Sequence, residues 1–258
     1  MKIHSWNMYC NNRKLDRAFE YVKNLDFDIL CLQEVPENFL KRLKTLPQHI
    51  AYGVDIIRLF PRRAEMNYVV VLSKHPILSS ERIPFPDSGR RPLRQRFFVW
   101  SMRPFGWSQS TGRGSLYADI DAGSTGRYRV FSLHLDLAGP SRRAKELAIV
   151  ASHLPRGYSA IVCGDFNVIE DRALKIVHWL LGSPVEESFP WRNERHAVEA
   201  FFNSLGLQNP LRGRVTHSFS GSQLDHILVP AHVPVSVADV SAETHGSDHR
   251  PISVEYRT

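Results

Sequence analysis

The stretch Ala160-Ile161-Val162-Cys163-Gly164-Asp165-Phe166-Asn167-Val168 carries a carboxylate and an amide two residues apart at the end of an apolar run. Residues i and i+2 of an extended segment project to the same side, so Asp165 and Asn167 can act on one ligand. Gly164 permits a close backbone approach just ahead of them. An Asx-turn that merely closes a strand has the same pattern, so this stretch alone does not choose. Other segments tip the balance. Asn7 ends the apolar run Ile3–Asn7, Glu34 ends Asp28–Glu34, and His134 comes near the end of Tyr128–Leu135. Asp225 and His226 interrupt Gln223–Val229, and Ser247-Asp248-His249 forms a polar turn just before Ile252–Tyr256. Each has an ordinary explanation by itself, as a turn former, a solvated acid or a satisfied core histidine. Six segments that all finish in Asn, Asp, Glu or His fit coincidence poorly. In α/β proteins ligands gather where the strands finish.

The chemistry open to such a set is specific. Hard oxygen ligands with an amide suit Mg²⁺ or Mn²⁺, and the lack of a Cys/His cluster argues against structural zinc. Histidines that donate to an oxyanion, acting beside a metal, suit a five-coordinate phosphorus. Asp165 could take the proton of an attacking water. Asp225 could hold one nitrogen of His249 and favour its charged form. Metal-assisted hydrolysis of a phosphate ester is the leading reaction class, although spacing alone does not separate it from other metal hydrolases. His226 reads as structural, because neighbouring strand residues face opposite ways. A second metal site built from His217 and His245 is disfavoured.

The elements that must position these groups alternate between strand and helix. Leu15, Ala18, Phe19, Val22 and Leu25 share one helical face within Asn12–Leu25. Phe39, Leu40, Leu43 and Leu46 mark a second helix, stopped by Pro47. Between about Ile50 and Leu135 no helix is expected. The strands expected there are Ile50–Ile57, Tyr68–Ser73, Arg96–Arg103, Ser115–Asp121 and Tyr128–Leu135, separated by Gly, Pro and Ser. Ser141 suits the N-cap of a helix carrying Ala144, Leu147, Ala148, Ala151 and Leu154. Further helical stripes run through Leu174–Leu181 and Val198–Leu205, and strands through Gln223–Val229, Val233–Val240 and Ile252–Tyr256. Strands and covering helices mix in both halves, which implies two sheets packed face to face with helices outside. At 258 residues this is one domain of ordinary globular composition.

In these motifs the chain resembles the endonuclease/exonuclease/phosphatase superfamily, which includes deoxyribonuclease I and exonuclease III. The matching residues are Ser5-Trp6-Asn7, Leu32-Gln33-Glu34-Val35, Ser132-Leu133-His134-Leu135, Gly164-Asp165-Phe166-Asn167, Leu224-Asp225-His226 and Ser247-Asp248-His249. They follow the family's order from residue 7 to residue 249, which spans nearly the whole chain. The resemblance implies an α/β fold in four layers, an α/β/β/α sandwich of two mixed sheets. It implies that Asn7 and Glu34 hold the divalent cation, Mg²⁺ or Mn²⁺, with Asp248 a further metal-site carboxylate. Asp165 would orient or deprotonate the water, Asn167 would position water and phosphate, and Asp225 would pair with a phosphate-contacting His249. His134 stands where abasic-site endonucleases usually carry tyrosine and deoxyribonuclease I-like members carry histidine. That departure counts against an abasic-site enzyme.

Charge bears on the substrate. A net charge of +7 and a pI near 9.5 favour a polyanionic partner. Glu81–Gly114 holds seven arginines against two acids, interleaved with six Phe and Trp residues, a composition that suits backbone contacts plus base stacking on nucleic acid. Arg90, Arg91 and Arg94 are the candidate phosphate contacts there, with Arg142 and Arg143 a second pair. The plainer reading of the segment is a sheet edge with arginines outward and aromatics in the core. The leading expectation is a metal-dependent nuclease or DNA-end phosphodiesterase acting as a monomer. The alternative is a phosphatase or phosphodiesterase for lipid headgroups or small phosphate esters. A scaffold that had lost its chemistry would not be expected to retain Glu34, Asp165 and His249 together. No apolar run reaches the roughly 18–20 residues of a membrane span. The N-terminus runs straight into strand-like sequence without a signal peptide's apolar core, and the cysteine count of three is odd. A cytoplasmic location is the expectation.

Overall fold

The computed structural model of the chain describes residues 1–87, 91–171, 173–188 and 194–257. Its first half contains β1 (Lys2–Asn7), α1 (Leu15–Asn24), β2 (Ile29–Pro36), α2 (Glu37–Leu43), β3 (His49–Phe60), β4 (Arg63–Ser73), β5 (Ile77–Pro84), α3 (Leu93–Ser101), β6 (Gln109–Thr111) and β7 (Gly114–Asp121). The second contains β8 (Arg127–His134), α4 (Pro140–Ser152), β9 (Ser159–Asp165), α5 (Ile176–Leu180), α6 (Glu194–Ser204), β10 (Leu207–Gln208), β11 (Asp225–Pro230), β12 (Val235–Val240) and β13 (Ile252–Tyr256). Seven strands form one sheet in the order β12-β13-β1-β2-β4-β3-β6, and six form the other as β10-β11-β9-β8-β7-β5.

Period-two alternation decides which side chains fill which layer. In β2, Ile29 and Cys31 face the space between the sheets, while Leu30 and Leu32 face α1 and α2. In β8, Tyr128 and Val130 face the inter-sheet core, and Phe131 and Leu133 face the layer of α4 and α6. Three apolar cores therefore stack through the molecule, one between the sheets and one under each helical layer. This is the expected four-layer α/β sandwich. Each aliphatic side chain fully buried in these cores contributes about 1.5–3 kcal/mol.

Most strand pairs are antiparallel, and the exceptions sit at the centre. β1 lies parallel to β2 with Asn7 beside Gln33, and β8 lies parallel to β9 with His134 beside Asp165. α1 and α4 supply the two crossovers. Antiparallel β11 then sets Asp225 directly opposite Asp165. The turn before antiparallel β13 lies next to the end of β1, since Ser5 pairs with Ile252. The strand ends that carry chemistry thus converge on one rim of the sandwich.

The structure corrects several expectations. Arg96–Arg103 is no strand: Leu93–Ser101 is helix, beginning right after Pro92. The run Phe97-Phe98-Val99-Trp100 has strong strand propensity. Its apolar residues lie on both faces of the helix, so no clean 3.6-residue stripe marks it; Gln95 and Val99 turn inward, whereas Phe97 and Trp100 are exposed. Ser141 is no N-cap. Gly139 holds that position and Pro140 starts the helix, as suits a residue without an N–H. Strands β5, β6 and β10 were not expected; half of β5 is polar and most of its residues are exposed.

Gly164 has φ +139°, and a Cβ built on it would stand 2.0 Å from the Leu133 carbonyl oxygen. We expect Gly164→Ala to destabilise the fold by more than about 1 kcal/mol, read as a lower denaturation midpoint in urea. An unchanged midpoint would mean that the β8–β9 contact can relax around a methyl group.

Candidate active site

Local backbone features aim the side chains at the rim. The β2–β4 register slips between Leu32 and Val35, and Glu34 within that bulge has φ +55°. A bulge re-aims a side chain that period two would otherwise send elsewhere. Glu34 is held in that pose by Cys10 N–H at 2.9 Å and by the Asn7 amide at 3.2 Å. Asn167, with φ +52°, donates its backbone N–H to Asp165 Oδ1 at 2.8 Å. The Asx-turn is thus formed, and it leaves both Asp165 and Asn167 lining the cavity. The Asn167 amide donates to Leu135 O at 2.9 Å, which fixes it at the cavity wall. Non-glycine residues in the left-handed region cost of order 1–3 kcal/mol each and cluster at functional sites.

Asp165 Oδ2 is the focus. Asn7 Nδ2 donates to it at 3.0 Å, His249 Nε2 stands 3.8 Å away and His134 Nε2 3.9 Å away. Each histidine is backed by a fully buried carboxylate. His249 Nδ1 bonds Asp225 Oδ2 at 2.8 Å, and His134 Nδ1 bonds Asp55 Oδ2 at 2.8 Å. Burial opposes charge on His249, but the Asp225 and Asp165 carboxylates outweigh it and push its pKa up to about 10. Burial is likewise outweighed at His134, where Asp55 and then Glu34 raise the value to about 9. Burial raises the pKa of Asp165, with Asp225 adding to it and the two histidines opposing. A carboxyl lifted in this way and flanked by two imidazoliums suits proton transfer beside an anionic substrate. Burial disfavours charge on Glu34 too, but the His134 charge and the hydrogen bonds from Cys10 together outweigh it and hold the pKa below the usual value.

Of the residues singled out in the sequence, Asn7, Glu34, His134, Asp165, Asn167, Asp225, Asp248 and His249 are brought together. Among the described phosphate-contact candidates, Arg91 and Arg142 line the catalytic cavity and both are half-buried; Arg142 lies 3.5 Å from Asp136. Arg143 makes no such contact. It is fully buried on the inner face of α4 with Leu147 and Val150, forked onto Glu194 at 2.6 Å. Arg94 ties α3 to the Trp179 and Ser183 carbonyls, and Arg91 is bound to Gln109 and Ser110 of β6. Arg90 lies outside the described residues. His226 is structural, stacked on Phe166 with ring centroids 4.3 Å apart and bound by Arg195.

Sequence reasoning missed Asp55 and Arg113. Asp55 is the sole acid in the apolar strand Ile50–Ile57, and that was a usable signal. Arg113 braces the site from behind, donating to His134 O at 2.8 Å. His217 also adjoins the site, with its ring 4.8 Å from that of His249 and Nε2 3.8 Å from Asp248.

The donor set fits a hard divalent cation. Glu34 and Asp248 both reach the cavity, and each raises the other's cost of ionisation. A divalent cation would relieve that repulsion. Two tighter groupings, Asp165–Asp225–His249 and His217–Asp248–His249, have ligand atoms within 4.8 Å of one another. Both depend on His249, which the Asp225 and Asp165 carboxylates hold in its protonated form, without a lone pair for a metal; the oxygen donors Asn7, Glu34 and Asp248 would hold the ion. A bound Mg²⁺ or Mn²⁺ would supply charge for a phosphate oxygen.

Residues 4–249 match the Endonuclease/Exonuclease/phosphatase family. No curated protein matches in sequence. Among solved structures, an endonuclease/exonuclease/phosphatase from Beutenbergia cavernae superposes with a TM-score of 0.70 at 17% identity, covering 100% of this chain and 71% of that one. A Neisseria 3′ phosphatase, NExo, bound to a product DNA hairpin gives 0.60 at 17% identity, with 100% of both chains covered. TDP2 of D. rerio complexed with a single strand DNA product gives 0.62 at 17% identity, covering 100% of this chain and 99% of that one.

Removing the charge behind His249 tests the pairing. Asp225→Asn is expected to lower the His249 pKa from about 10 by about 1–3 units in an NMR ring titration. Because the folded-state value lies above the unfolded one, the wild-type pair stabilises fully below about pH 6.5 and loses that stabilisation as pH rises toward 10. The variant should therefore show a flatter stability profile across this window. A His249 titration that does not move would refute the coupling.

Proposed function

The chain belongs to the Endonuclease/Exonuclease/phosphatase family, and on that premise we propose that it is a divalent-metal-dependent phosphodiesterase that hydrolyses phosphate esters of nucleic acid, with DNA favoured. The observation that carries this reading is the pair of carboxylate-backed histidines whose Nε2 atoms both approach one oxygen of Asp165. In this reading the phosphate enters between them. His134 and His249 donate to its non-bridging oxygens and stabilise the charge that builds as phosphorus becomes five-coordinate. Asp165 takes the proton of the attacking water as the new P–O bond forms, and the ester P–O bond breaks on the opposite side. Asn167 orients water and phosphate, and Asn7, Glu34 and Asp248 hold the cation. Proteins of similar fold bound to DNA products and the net positive charge support nucleic acid as the substrate.

A second reading draws on a different feature. Val99, Met102, Trp107, Leu137 and Leu181 give the catalytic cavity an apolar wall, and Leu93, Phe97 and Trp100 are exposed on the outer face of α3. These suit a phosphatase or phosphodiesterase whose substrate carries an apolar group, such as a phospholipid headgroup ester. No helix among the described residues is long and apolar enough to cross a membrane.

Purified protein incubated with Mg²⁺ and end-labelled DNA should cut or trim it, and EDTA should stop the reaction. Asp165→Ala is expected to lower the rate by about 10²–10⁴-fold. Turnover of a generic phosphodiester dye that requires Asp165, without cleavage of any DNA or RNA, would instead favour the second reading.

A further inference from the structure

Beside the catalytic cavity, of about 720 Å³, lies a larger open trough of about 1190 Å³. Its walls come from the loop after β1, the start of α2, the β3–β4 hairpin end and the turn Arg103–Phe105. The two spaces adjoin, since Tyr9, Asn11, Arg58, Phe105 and Gly106 line both. The saddle between them is pinned. Arg58, 7% exposed, donates to Asn11 Oδ1 at 3.1 Å and to the Gly106 carbonyl. Gly106, at φ +84°, packs so closely that a Cβ would stand 2.4 Å from the Asn11 amide.

The charge of the trough is uneven in a useful way. Lys41 pairs with Glu37, and Arg58 and Arg63 pair with Glu65. Arg13, Lys14 and Arg103 line the same trough and form no ion pair among the described residues. Phe105, beside Arg103 at the saddle, leaves 68% of its surface exposed. Unpaired cations along a channel track a phosphate backbone, and an exposed ring offers a stacking face to a base that is not already stacked in a duplex. The volume exceeds the roughly 300–1,000 Å³ of small-ligand sites, which argues for a polymer.

We propose that this trough binds a single, unpaired nucleic-acid strand, which runs over the Phe105 saddle into the catalytic cavity. The inference rests on the nucleic-acid reading above and narrows it to unpaired strands or frayed ends. Arg13, Lys14 and Arg103 hold backbone phosphates, and Phe105 stacks on the base nearest the cleavage point.

Binding of a nuclease-resistant phosphorothioate single strand, followed by fluorescence anisotropy over a salt series, tests this directly. The triple variant Arg13→Ala/Lys14→Ala/Arg103→Ala should weaken binding at least ten-fold at low salt. Its slope of log affinity against log salt should fall by about 0.7 for each lost contact. Phe105→Ala should weaken binding about five-fold or more. Hydrolysis of bis(p-nitrophenyl) phosphate, too small to reach the trough, should match wild type in the triple variant and report that it is folded; for Phe105→Ala, whose ring also lines the catalytic cavity, an unchanged urea denaturation midpoint reports folding. If wild type binds the strand and the variants bind it equally well, the trough proposal falls while the nucleic-acid reading stands. A blunt duplex bound as tightly as the single strand, and weakened equally by the variants, overturns the single-strand assignment. If wild type binds no DNA of either kind yet hydrolyses the small diester, the nucleic-acid reading itself has failed, and the trough assignment fails with it.

Discussion

Buried carboxylates have to be compensated, and the rim of this sandwich is arranged around that requirement. Asp55 and Asp225 are both fully enclosed, each within a strand of a different sheet. Each meets an imidazole at 2.8 Å, and its negative charge draws a proton onto that histidine against the burial that opposes it. The two imidazoles then face Asp165 from opposite sheets. An ion pair removed from water is costly unless its geometry is good and its remaining positions are engaged. Here the far nitrogen of each ring is directed toward the cavity, where an anionic substrate would complete the arrangement.

That balance depends on backbone placement. The parallel pairs β1–β2 and β8–β9 bring Asn7 and Glu34 to the rim from one sheet and His134 and Asp165 from the other. Both pairs need a helical crossover, which is why a covering helix belongs to each half. Gly164 allows β9 to approach the Leu133 carbonyl where no other residue would fit. Left-handed backbone at Glu34 and Asn167 places strain beside the reacting groups. The surrounding sheets over-determine these conformations and so keep them populated.

The surroundings of the site come from segments between the central strands of the sandwich. α3 and the turn after it separate an apolar wall on one side of the catalytic groups from a cationic trough on the other. Similarity to solved structures at 17% identity extends to the fold, and the chemistry of these walls belongs to this chain's own residues.

The sequence by itself determined the layered α/β class, because period-two strands and amphipathic helices declare their buried faces locally. It also determined most of the rim, since polar residues that end apolar strands stand out against their neighbours. The tertiary structure alone decided what depends on contacts far apart in the chain. Asp55 finds His134 across 79 residues, a partnership that no local pattern encodes. Arg143 resembled a surface phosphate ligand until α4 turned it inward onto Glu194. α3 looked like a strand because propensity favoured it and its two apolar faces hid the helical period; packing of Val99 against Ala138 and Leu181 settled the matter. Local chemistry is legible in one dimension, whereas the pairing of buried charges and the choice of inward face are set by the free energy of the assembled whole.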